Sequence, residues 1–341
     1  LATAALVGPA HGAPHPSTAR PVTARVIIDN DFAGDPDGLF QLAHHLLSPS
    51  ITVPLIVSSR LPLAFGGPAS AANGRAKAQQ LMDIMAANPA RTATGNRAGM
   101  GLPPPIIAGA ETPITARSSH APSAATAAIV AQAMQADDGV PLFYAAGASL
   151  TELALAWLAE PRIGRRIKLI WIGGNEHAGG GPPPPGPAEA EFNFSTDPLA
   201  AQIIFNQSDI EIWQVPRDAY RQMLMSTAEI DEMAAQSPTG AYLRQQLADM
   251  EVALAAIPGF PPMPISSVYV MGDSPLVTLT ALMTPIQPDP ASSRYIRQPT
   301  PHLAVDGSYR PMANGRPMRV YTAIDAGLTL RDMMARLRAA R

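Results

Sequence analysis

The feature that most constrains this chain is a junction. A β-branched run, Arg25-Val26-Ile27-Ile28-Asp29, gives way within ten residues to Leu39-Phe40-Gln41-Leu42-Ala43-His44-His45-Leu46-Leu47, whose apolar residues fall at helical spacing. Asp35 stands where a helix N-cap belongs, and Pro36 at the first helical position. A strand that passes through a short loop into a helix is the repeating unit of a parallel sheet, and the pattern recurs. Further strands are predicted at Ile51-Thr52-Val53-Pro54-Leu55-Ile56-Val57, near Ile106-Ile107-Ala108, at Pro141 to Ala145 and at Ile167 to Ile172, with helices around 121–136 and 150–160. The expectation is an α/β chain: a single domain over residues 23–341 with a mostly parallel, open central sheet flanked by helices. Ligands of such sheets sit beyond the carboxyl ends of the strands. The positions to read there are Asp29 and Asp31, Ser58 to Arg60, Ala146-Gly147 and Gly173-Gly174-Asn175.

Composition narrows the function classes. Of 341 residues 47% are apolar and 15% charged, enough to bury a sizeable core. A net charge of −3, with Lys and Arg scattered, gives no basic stripe to neutralise phosphates, so polymeric nucleic acid is not an expected partner. The absence of cysteine removes disulfides, thiolate metal sites and a thiol nucleophile. Residues 1–22 open with Leu1-Ala2-Thr3-Ala4-Ala5-Leu6-Val7 and small residues, which reads as the end of an export signal or as an Ala/Pro-rich tail, and a periplasmic or secreted protein is the expectation. No later run reaches the roughly 18 apolar residues of a membrane span. Proline is concentrated at 103–105 and 182–187, neither of which suits helix or central strand. The second stretch follows a strand end and reads either as a loop over the site or as a surface insertion.

Asp29, Asp31, Asp35 and Asp37 place four carboxylates at the mouth of the first strand. Their repulsion is removed by a hard cation, and oxygen-only ligands suit Ca²⁺ or Mg²⁺. An EF-hand is excluded, because Phe40 occupies the place of its bidentate Glu. The alternative is that Asp35 caps the helix and the other acids are solvated.

The segment resembles the Asp-x-Asp-x-x-x-Asp-Asp signature of the inosine-uridine preferring nucleoside hydrolase family, in the longer form Asp-x-Asp-x-x-x-Asp-x-Asp-Asp, with Gly38 in place of the last acid. A second block, Ala190-Glu191-Phe192-Asn193 followed by Asp197-Pro198-Leu199-Ala200-Ala201, is similar to that family's Glu-Phe-Asn-x-x-x-Asp-Pro-x-Ala-Ala. Ala145 to Ala154 and Met271-Gly272-Asp273-Ser274-Pro275 follow family patterns in the same order. The resemblance, from about Arg25 to Leu337, implies a nucleoside hydrolase-like open sheet. It implies calcium held by Asp29, Asp31, Asp35, Asp37, the Ala146 carbonyl and Asp273, with Asp31 taking a proton from a calcium-bound water. Asp37, Asn175, Glu191 and Asn193 would hold the sugar of a small nucleoside or ribosyl substrate. Family members often form oligomers, so a homo-oligomer is an expectation of the same kind.

The chain departs from the pattern at three places. Gly38 removes a calcium ligand that Asp35 or Asp37 must replace. Gly272 replaces a His that protonates the departing base, for which His177 is a stand-in or, on the alternative reading, a surface loop residue. Arg60 replaces a sugar-contacting Asn and is suited to a carboxylate or phosphate on a larger substrate, or to solvent. His44 and His45, on the first helix, are assigned no chemistry. A hydrolase of N-glycosidic bonds is the main reading; a non-catalytic sugar- or nucleoside-binding protein on the same fold is the alternative.

Overall fold

The computed structural model describes residues 22–87, 103–115, 121–186, 188–261, 264–284 and 292–339. Apart from residue 22, the leader reading of residues 1–22 lies outside them. The strands are β1 (Ala24–Asn30), β2 (Ile51–Ser58), β3 (Ile106–Ala108), β4 (Leu142–Ala146), β5 (Ile167–Ile172), β6 (Glu211–Val215), β7 (Leu224–Ser226), β8 (Val268–Val270), β9 (Arg294–Pro299), β10 (His302–Leu303), β11 (Tyr309–Arg310) and β12 (Pro317–Ala323). Eight of them form one sheet in the order β3-β2-β1-β4-β5-β6-β12-β9. All neighbours in it run parallel except β9, which closes the edge antiparallel to β12. The expected α/β architecture is present, and no helix among the described residues is long and apolar enough to cross a membrane.

Alternation along the strands makes two cores. Val26 and Ile28 of β1 face one layer with helices Asp37–Leu46 and Ala326–Ala339, while Ile27 faces the other with helices Ala124–Ala133, Thr151–Ala159 and Pro198–Gln207. Helix Asp37–Leu46 begins one residue later than its sequence suggests. Pro36 is the cap residue, and Asp35 Oδ1 accepts from Asp37 N at 3.4 Å, a weak contact in place of a full side-chain cap.

The strand order fixes where a ligand can sit. From β1 the chain builds outward through β2 and β3, then returns to place β4 on the opposite side of β1. At that reversal the connections leave in opposite directions and open a crevice at the carboxyl ends of β1 and β4. Asp29 pairs with Ala146 there, so Asp31 and Gly147 lie just past the sheet edge. The loop after β4 is tied down by Trp171 of β5, fully buried, whose indole N–H donates to the Ala148 carbonyl at 3.0 Å. Trp171→Phe keeps most of the ring but leaves that carbonyl unpaired, and is expected to cost about 1–3 kcal/mol in urea unfolding.

Candidate active site

The acidic segment is divided by the end of β1. Asp29 is still within the strand and has the parity of Ile27, so its side chain enters the layer under helix Thr151–Ala159. There Ser59 Oγ donates to Oδ1 and the Tyr144 hydroxyl to Oδ2, each at 2.6 Å. Burial pushes its carboxyl up to about 7, against the lowering effect of those two hydroxyls. In place of a ligand in the crevice, Asp29 is a buried brace joining β1 to β4 and to the loop after β2. Ala146 is likewise fully buried in β4; it is Gly147, one residue on, that reaches the cavity wall.

Asp31, Asp35, Asp37 and Asp273 all line a single cavity of about 450 Å³. Asp35 is exposed at its rim, whereas Asp31, Asp37 and Asp273 are buried. Burial raises the carboxyls of Asp31 and Asp37 well above the ordinary range, and the Asp273 and Asp35 charges push them further. The same desolvation holds Asp273 at about 7. Asp37 Oδ2 accepts from the Asp273 backbone N–H at 2.9 Å, joining segments 236 positions apart.

Glu191 and Asn193 enter the same cavity from the loop after β5 and the helix Phe192–Thr196. Glu191 caps that helix: its Oε2 accepts from Phe194 N at 2.9 Å and Gly174 N at 2.8 Å, and the Tyr220 hydroxyl donates to Oε1 at 3.1 Å. Burial raises its carboxyl, partly offset by these donors. Asn193 Nδ2 donates to the carbonyls of Ile172 (2.9 Å) and Gly147 (3.3 Å).

The remaining sequence candidates are elsewhere. Asn175 is turned away from the acids: its Oδ1 accepts from Glu191 N and its Nδ2 donates to the Gly307 carbonyl. His177 stacks on Tyr309 with centroids 4.0 Å apart, and its ring nitrogens meet Gln214 Oε1 and Gln298 Nε2. Both Asn175 and His177 line a different cavity, together with Gly179 to Gly181 and Pro183 to Pro185. The Pro-rich stretch therefore walls that second cavity rather than covering the acids, and His177 does not reach them. Arg60 is buried and donates to the carbonyls of Leu61 and Thr196, and it is not among the side chains that line the acidic cavity.

Other residues of the acidic cavity were not singled out from sequence. Phe65 and Phe192 form an edge-to-face pair, centroids 5.5 Å apart, and both are part-exposed. Met250, Ala253, Leu254, Ile257 and Phe260, in or just after helix Pro238–Ala255, complete an apolar wall. Tyr220 fills the space beside Gly272, where an added Cβ would lie 3.3 Å from its ring. Lys77, whose ammonium is disfavoured by burial and supported by Asp249, also lines the cavity. Phe192 lies between Glu191 and Asn193 in the block already quoted, whereas Phe65, Lys77, Tyr220 and residues 250–260 sit in no local pattern that announces them.

Comparisons with known proteins bear on the family and the fold. The model of a family described as inosine-uridine preferring nucleoside hydrolase matches residues 26–302. An inosine-uridine preferring nucleoside hydrolase from Leishmania major is 45% identical over 60 residues, 17% of this chain and 18% of that protein. One from Crithidia fasciculata is 43% identical over 67 residues, 19% of this chain and 18% of that protein. The alignments thus span less than a fifth of the length of these curated relatives. In fold, the chain is similar to the purine-preferring ribonucleoside hydrolase from Gardnerella vaginalis, with a TM-score of 0.64 at 17% identity over 93% of this chain and 98% of that one. The family match runs from β1 to β10 and takes in the acidic segment, the Glu191 block and Asp273, so the chain belongs to the inosine-uridine preferring nucleoside hydrolase family.

Proposed function

We propose that this chain hydrolyses the N-glycosidic bond of a nucleoside or related ribosyl compound, with Asp31 as general base. The observation that carries the reading is the convergence of Asp31, Asp37, Asp273, Glu191 and Asn193 on one apolar-walled cavity at the reversal of strand order. A cavity of about 450 Å³ is of small-molecule size. Asp31, whose carboxyl is raised well above the ordinary range by burial and its acidic neighbours, is a stronger base than a solvated carboxylate once ionised, and takes a proton from the attacking water. Glu191 Oε1 and Asn193 Oδ1 face the sugar hydroxyls and turn binding energy into orientation. Phe65, Phe192 and Phe260 offer flat apolar surface to the base. No histidine among the described residues lines this cavity; Lys77, whose ammonium burial makes a readier acid, is its candidate proton donor toward the leaving base, since Tyr220 gives its hydroxyl proton to Glu191.

Among the described residues no three acidic or histidine side chains are gathered as a ready cation cage. The chemistry of the donors fits nonetheless: they are all oxygen, and their mutual charges raise one another's proton affinity, a cost that a cation removes. Asp31, Asp37 and Asp273, with Asp35 at the rim, are the residues that would hold calcium in this reading. Bound there, it would supply the positive charge that keeps these carboxylates ionised at neutral pH.

Two outcomes are expected. Incubation with a panel of nucleosides and ribosylated compounds should release free base, and Asp31→Asn should lower kcat/KM by about 10²–10⁴-fold with an unchanged circular dichroism spectrum. Ligands that raise Tm without being cleaved would instead identify a binding protein. The second concerns pH. Because Asp31, Asp37 and Asp273 have raised carboxyls, cation-free folding favours their protonated forms. That contribution is complete below the unfolded value of about 4 and is lost as pH rises through the folded values, about 7 for Asp273. In chelator, Tm should therefore fall between about pH 4 and pH 8, and added CaCl₂ should raise it more at the upper end. A cation effect that is the same at both ends would remove calcium from these residues.

A further inference from the structure

Asn30 carries none of the roles assigned so far, yet its side chain is fully buried between Asp31 and Asp273. We propose that Asn30 is the positioning residue for Asp273, held in one orientation by a buried chain through Gln41, His45 and Thr280, and that position 38 is glycine because this amide occupies its side-chain space. The importance given to Asp273 rests on the proposed function.

The orientation follows from matching donors to acceptors. Asn30 Oδ1 accepts from Asp31 N at 2.8 Å, so Nδ2 is the atom that meets Asp273 Oδ2 at 2.8 Å. A flipped amide would set NH₂ against N–H and oxygen against carboxylate. The second Nδ2 proton points to Gln41 Oε1, a long contact at 3.4 Å. Gln41 Nε2 then donates to His45 Nδ1, which leaves the ring proton on Nε2 to be given to Thr280 Oγ1 at 2.8 Å. Thr280 completes the run by donating to the Leu276 carbonyl at 2.6 Å. Each link joins one donor to one acceptor, and the direction is the same throughout. Gln41, His45 and Thr280 are at most 2% exposed, so no water competes. The run starts and ends on the 273–280 segment and passes through helix Asp37–Leu46, tying that segment to the end of β1.

The packing agrees. A Cβ on Gly38 would lie 2.6 Å from Asn30 Oδ1 and 2.7 Å from its Cγ, and one on Gly147 would meet Asn30 Nδ2 and Asp273. Both glycines give their volume to the one amide.

The experiment has two arms. Gly38 lies in a first helical turn, where alanine alone would be favourable by propensity. Gly38→Ala should instead lower Tm by about 3–8 °C in the wild-type background and be close to neutral in an Asn30→Ala background. Equal losses in both would overturn the packing claim, whatever the protein's activity. In the second arm, Asn30→Ala and His45→Leu should each lower kcat about 10–100-fold at little-changed KM, and the double variant should be no worse than the poorer single. His45→Gln, which can accept from Gln41 and donate to Thr280, should recover most of the loss. Variants that lose Tm but keep kcat would reduce Asn30 to a packing residue and overturn the positioning role. If the wild type cleaves nothing, the proposed function fails, and the inference is then decided by the Gly38 arm and by whether Asn30→Ala lowers the CaCl₂-induced rise in Tm.

Discussion

The reversal of strand order at β1 and β4 is the constraint from which the rest of the site follows. Parallel strands joined by crossovers end with their carboxyl termini on one side, and where successive connections diverge no helix covers the edge. The opening is lined by backbone ends and by whatever side chains the strands present as they leave the sheet. Here those are carboxylates, and each is expensive to bury without compensation. The surrounding structure supplies it residue by residue: hydroxyls for Asp29, an amide for Asp273, a backbone N–H for Asp37 and helix-terminal N–H groups for Glu191.

The boundary between strand and loop decides which acids work as scaffold and which face the cavity. Within β1 the side chains alternate, so Ile27 and Asp29 share one layer while Ile28 and Asn30 share the other. Once the strand ends, that alternation no longer applies and Asp31 turns into the opening. Two aspartates separated by one residue thus have opposite surroundings, one enclosed by Ser59 and Tyr144, the other on the cavity wall.

Much of this was legible in the sequence. The β-branched runs place β1 to β5 within a residue or so, and the Glu191, Asn193 and Asp273 blocks lead to side chains that line the acidic cavity. Alternation alone does not say on which residue β1 stops, so Asp29 and Asp31 both read as metal ligands, although the resemblance gave the base role to Asp31 alone. Asn175 and His177 failed for a related reason: a loop after a strand end can turn toward either neighbouring crevice, and this one turns toward Tyr309 and Gln298. Phe65, Tyr220 and helix Pro238–Ala255 were invisible because their relation to the acids exists only after folding. Gly38 and Gly272 register in sequence as losses, but the structure shows both spaces adjoining other residues, Asn30 at the first and Tyr220 at the second.

What is left unpaired in the cavity sets what it can recognise. Two N–H groups occupy Glu191 Oε2 and one hydroxyl occupies part of Oε1, so that oxygen keeps room for one more donor. Asn193 spends its amide protons on two carbonyls, which leaves Oδ1 as its group for a ligand. Both side chains are therefore acceptors, set beside Asp31, Asp37 and Asp273. A ligand that satisfies them must bring hydrogen-bond donors, such as the hydroxyls of a sugar. Without a cation, a phosphate or carboxylate at the same place would add negative charge beside acids that already repel one another. The free acceptors of the cavity thus call for a ligand rich in donors, and they are groups the fold has already half used.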